Sequence, residues 1–148
     1  MAKKEAIAKL VKIKSHYLKL SQVEYSKALQ DLYRQIDKVQ IAREKKQEFV
    51  DRLSLTQKAP VIKSDDIRQL SEFIRFCEEN VAREELFLRE KEKLAEILRK
   101  RMEEANKEKE IAQRLYKGIL ARELAEREKK ERKVIDESAT SRFFYKEE

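Results

Sequence analysis

The sequence predicts an all-α protein: a long antiparallel two-helix coiled coil, folded as a hairpin with an overhanging C-terminal helix. Three observations carry this. A heptad seam runs from Ile67 to Ile119, one proline stands near the middle of the chain, and turn residues are almost absent. The seam passes through Ile67, Leu70, Ile74, Cys77, Val81, Leu88, Ala95, Leu98, Met102, Ala105, Ala112, Tyr116 and Ile119 in alternating steps of three and four, broken only by Glu84, Lys91 and Lys109. A repeat of about 3.5 residues draws a stripe too narrow for a globular core, and such a stripe is buried by another helix supercoiling against it.

The first helix is expected over residues 3–55, with a broader and less regular seam through Ala8, Val11, Leu18, Tyr25, Leu29, Leu32, Ile36, Val39, Val50 and Leu53. A turn over 56–64 holds Pro60, which fixes φ, lacks an N–H donor and pushes Ala59 out of the helical region. Ser64 is placed to cap a second helix over 65–137, whose first turn carries Asp65 and Asp66, favourable against the positive end of the helix dipole. A tail over 138–148 completes a single coiled-coil domain. One short break in a helical chain folds the two arms back on each other. The seam does not declare whether its partner is the other arm of the same chain or a second copy.

The arms are unequal. Counting outward from Pro60, a residue near position 3 meets one near 119, so about 20 to 29 residues overhang, some 30 Å at about 1.5 Å per residue. Gly118 stands at that junction and reads as a tolerated small residue, at about 1 kcal/mol relative to alanine in a helix interior. Charge is uneven too. Residues 1–60 hold 14 lysines and arginines against 7 acids, whereas residues 61–148 hold 22 of each, so the net +7 lies on the first arm. Its first 20 residues contribute six lysines and one glutamate. Such an end suits nucleic acid, anionic lipid or an acidic protein surface. The lysines at 3, 4, 9, 12, 14 and 19 are not interleaved with stacking aromatics, which weighs against nucleic acid.

Nothing in the sequence composes a catalytic or cofactor site. His16 is the only histidine, the single glycine cannot build a phosphate loop, and the glutamates alternate with lysine and arginine at helical spacing as surface pairs. No metal, cofactor or small-molecule substrate is expected. The lone Cys77 falls on the seam as a small buried residue without a disulfide partner. No apolar run suits a signal peptide or a membrane span, so a reduced, cytoplasmic protein is expected.

The end of the chain is its most distinctive local stretch. Glu131-Arg132-Lys133-Val134-Ile135-Asp136-Glu137 runs through Ser138, Ala139, Thr140 and Ser141 to Arg142-Phe143-Phe144-Tyr145. This stretch, with Phe49 and Leu53 before the turn and Phe73, Ile74, Cys77 and Val81 after it, resembles the flagellar type III export stalk family, the FliJ family. The likeness extends over the whole chain, and injectisome stalk proteins share the architecture. It implies a central stalk of a hexameric export ATPase, without chemistry of its own, associated with the export apparatus at the inner membrane. The implied ring contacts are Lys3, Lys4, Lys9, Lys12, Arg127, Lys130, Arg132 and Arg142, and the implied contacts with the export-gate membrane protein are Phe49, Leu53, Phe73 and Cys77. Export chaperones are further partners. Lys45 and Asn80 depart from the family pattern, standing where apolar or aromatic gate-facing residues are usual. The reading from another class is a basic coiled-coil nucleic-acid-binding or scaffold protein held by counterion release.

Circular dichroism is expected to show helix far above the one-third of an ordinary globular domain. Thiol probes at Val11 and Ala112 are expected to cross-link within one chain. Links between chains only would replace the hairpin with a dimer.

Overall fold

The computed structural model describes residues 2–147, and the side chains of residues 2–144. It contains two long helices packed against each other, α1 (Ala2–Lys58) and α2 (Ser64–Glu147), and no strand among the described residues. Both helices are longer than expected. α1 runs three residues further, to Lys58, and α2 continues helical to Glu147 through the stretch expected to be a tail from 138. Nothing between 138 and 147 breaks a helix: the segment has no proline or glycine, and the Thr140 hydroxyl donates back to the Asp136 carbonyl at 2.8 Å.

The connection spans 59–63. Its Ala59 N–H donates to the Thr56 carbonyl at 3.3 Å, a final tight turn before Pro60 stops the helix. The first bond of α2 runs from the Ile67 N–H to the Lys63 carbonyl, which places Lys63 in the cap position expected for Ser64. Ser64 therefore joins Asp65 and Asp66 in the first turn.

The chain divides into two units. Unit 1 combines Met1–Lys19 with Glu104–Glu148, and unit 2 is Leu20–Glu103. Within unit 2 the helices are antiparallel: Arg43 pairs with Glu85 at 2.8 Å, Lys46 with Glu78 at 3.8 Å, and the Phe49 ring with that of Phe73. Unit 1 shows the same sense, with Lys4 on Glu123 at 3.1 Å and Lys14 on Glu108 at 2.8 Å.

With Ile67 as position a and Leu70 as d, every expected seam residue of α2 is buried or half-buried, and so are the interruptions Glu84, Lys91 and Lys109. On α1 the seam takes a different course. It steps through Leu18, Ser21, Tyr25, Ala28, Leu32, Gln35, Val39, Ala42, Lys46, Phe49 and Leu53, all buried or half-buried. Ile36, expected on it, is 44% exposed, because the three-then-four step from Leu32 lands on Gln35, which is 5% exposed. Among the described residues the buried apolar ones are Leu18, Ala28, Val39, Ala42, Cys77, Ala95 and Ala112, four of them alanines. A seam closed by one partner covers small side chains more readily than large ones.

Gln35 explains the interruption at Glu84. Its amide Nε2 donates to the Glu84 backbone carbonyl at 2.9 Å and to the Glu84 Oε2 at 2.6 Å, so two polar d positions satisfy each other across the seam. Arg99, by contrast, binds Glu96 and Glu103 along its own helix in water. The hydrogen bond with Arg99 holds the Glu96 carboxyl below the usual range. Such exposed pairs contribute little to stability.

Gln35→Ala is expected to lower unfolding free energy by about 1–3 kcal/mol, the usual cost of leaving a buried polar group without its partner. Replacing Gln35 and Glu84 together with leucine is expected to restore or exceed the original stability in urea melts. A double variant no better than the singles would remove this pair from the account.

Candidate functional site

Two surfaces gather the residues singled out by the sequence. The first is in unit 2, beside the turn. Phe49 is a d residue of α1 and Phe73 flanks the seam of α2 at g, so antiparallel packing stacks their rings with centroids 5.6 Å apart and planes 14° apart. The Arg52 guanidinium carbon lies 5.3 Å from the Phe49 ring centre, in cation–π range. Phe73 is nonetheless 53% exposed, and Phe76, one helical turn further on, is 61% exposed. A shallow depression of about 490 Å³ lies among Gln69, Glu72, Phe73 and Phe76.

Of the expected gate contacts, Phe49 and Leu53 are half-buried and Phe73 is exposed, while Cys77 is buried in the seam as a free thiol. Cys77 therefore packs the helices together and offers no surface. Lys45 is exposed and Asn80 half-buried. Phe76 and Arg52 were not singled out by the sequence reading. The spacing of Phe76, three residues after Phe73 on one helix face, is the signal that marks it.

The second surface is in unit 1. Lys3, Lys9 and Lys12 are exposed on α1, whereas Lys4 reaches Glu123 of α2. Lys4, Glu123, Glu126, Arg127 and Lys130 line one cavity of about 370 Å³, so three of the expected ring contacts meet around two carboxylates. Arg132 lies on a helix face with Lys129, Lys133 and Asp136, and Arg142 is exposed further along. From Leu124 to Phe144 every residue is exposed, Val134, Ile135, Phe143 and Phe144 included. The Tyr145 side chain, which closes the distinctive C-terminal stretch, lies outside the described residues.

Chemically these surfaces offer cations, paired carboxylates and aromatic faces. Among the described residues no three histidine, cysteine or acidic side chains are grouped to hold a metal, and no helix is long and apolar enough to cross a membrane. No family model, no curated protein and no solved structure matches this chain.

The exposure of Phe73 sets the size of its contribution. A buried phenylalanine truncated to alanine costs about 3–5 kcal/mol. At half exposure the expected loss for Phe73→Ala is about 1–2 kcal/mol, made up of partial burial and ring stacking. Equilibrium unfolding in urea measures it, and a loss near 4 kcal/mol would return Phe73 to the core.

Proposed function

We propose that this chain is a non-enzymatic stalk of a type III protein export apparatus, flagellar by its resemblance to the FliJ family. In this reading the paired helices form a hairpin whose second helix overhangs, and the overhang enters the pore of a hexameric export ATPase. One observation carries the proposal: α2 stays helical from Leu124 to Phe144 with every residue exposed, while Arg127, Lys129, Lys130, Arg132 and Lys133 alternate with acids along it. A charged helix without tertiary cover gains little from its own chain, and an external surface that orders it accounts for its length.

The ring contacts are then Lys3, Lys4, Lys9, Lys12, Arg127, Lys130, Arg132 and Arg142, and the turn-proximal aromatics Phe49 and Phe73, with Leu53, face the export gate. The stalk acts by favouring one conformation of the ring subunits, so any gain in hydrolysis comes from the ring's own sites. This places the protein on the cytoplasmic side of the inner membrane as a peripheral component, with export chaperones as further partners. The second reading, a basic nucleic-acid-binding or scaffold coiled coil, draws on the exposed Lys3, Lys9 and Lys12. It predicts binding to unrelated DNA or RNA that falls steeply with salt.

Deleting residues 125–148 is expected to leave the melting of the paired helices nearly unchanged and to abolish stimulation of a cognate hexameric export ATPase. ATPase assays with intact and truncated protein decide the matter. Equal stimulation by both would remove this end from the pore.

A further inference from the structure

Each helix carries a second apolar stripe, displaced by one residue from the seam, at heptad positions g and c. In unit 1 the α1 stripe holds Leu10, Ile13 and Tyr17, the last two 50% and 53% exposed. The α2 stripe holds Ile111 and Leu115, 58% and 51% exposed, and then Gly118. Reversing one helix of a pair brings its g flank alongside the g flank of the other, so the stripes open onto one side of the seam. There Lys3 and Ile7 of α1 line a groove of about 490 Å³ with Ile111, Leu115, Gly118 and Arg122 of α2. The repeat carries Leu10 and Tyr17 onward from Lys3 at seven-residue intervals.

The groove floor is apolar and its rim is basic. Lys3 borders it on α1 and Arg114 and Arg122 on α2, all exposed. The acids on the α2 stripe are Glu108, held by Lys14 at 2.8 Å, and Glu104 at the far end. On α2 the groove lining runs from Ile111 to Arg122, about 17 Å or about three helical turns, and the exposed Ile13 and Tyr17 prolong the apolar stripe of α1 beyond it. A concave apolar channel of that length between two helices fits a third helix, and the rim selects its flanks. A second copy would bring the same cations against this rim, a like-charge contact that disfavours it.

We propose that this groove docks an acidic amphipathic helix from a partner protein, completing a local three-helix bundle. The proposal does not rest on the stalk reading, which turns on the residues beyond Leu124. Gly118 supplies the decisive variant. A Cβ built there meets no atom within 4 Å, so Gly118→Leu fills the groove without disturbing the packing of the chain, and leucine favours helix over glycine.

The test uses the full-length chain and a fluorescent synthetic peptide of about four to five helical turns, with leucines in three-four spacing and glutamate flanks. Anisotropy titrations are expected to show saturable binding, weakened by added salt and reduced about tenfold or more by Gly118→Leu and by Leu115→Asp. Gly118→Leu is expected to melt no lower than the native chain. Absence of binding, unchanged affinity in Gly118→Leu, or equal binding of the same peptide with lysine flanks would overturn the proposal. So would self-association in sedimentation equilibrium that Gly118→Leu abolishes, which assigns the groove to a second copy. Binding to phosphatidylserine vesicles lost in the same variant would assign it to a lipid surface and overturn the proposal equally.

Discussion

The structure depends on a seam with only one partner. In a globular core a large side chain is surrounded; against a single opposing helix most large side chains keep one open flank, Leu18 and Val39 being covered. Burial therefore falls mostly to small residues, and Ala28, Ala42, Ala95 and Ala112 are covered where Tyr25, Leu32, Leu98 and Tyr116 are only half covered. The high charge content follows from the same geometry, since five of every seven positions lie off the seam and most of them face water.

That constraint also decides what the sequence could reveal. The α2 seam was legible to the residue, because apolar side chains, large or small, mark thirteen of its sixteen a and d positions. The α1 seam was legible only in part. Ser21, Gln35 and Lys46 occupy seam positions without an apolar signal and Ala28 and Ala42 give only a weak one, while Ile36 stands just beside the seam. Only the strict three-four spacing marks them, because their composition does not. Helix ends were misplaced by a few residues at the turn and by ten at the C-terminus, where polar composition read as a tail but no residue opposes the helix.

The candidate surfaces were legible as residue types and not as geometry. Phe49 and Phe73 were identifiable as an aromatic pair across the bend, but their stacking and the exposure of Phe73 follow from the g position, which places a ring beside the seam instead of within it. Cys77 fell among the expected contacts although its d position buries it. Lys4, Arg127 and Lys130 are scattered members of a basic pattern in the sequence, and antiparallel pairing brings them around Glu123 and Glu126. In each case the missing information was the phase between the helices.

Phase is what Gln35 and Glu84 hold. An apolar seam is forgiving along its axis, because leucine meets leucine nearly as well one heptad away. A slip of that size within unit 2 would carry the Gln35 amide from Glu84 toward the thiol of Cys77 or the ammonium of Lys91, neither of which accepts a hydrogen bond as a carboxylate does. The pair thus acts as a detent against shear. Within unit 2, sliding of one helix past the other breaks these hydrogen bonds, whereas a gentle bend of the pair keeps them.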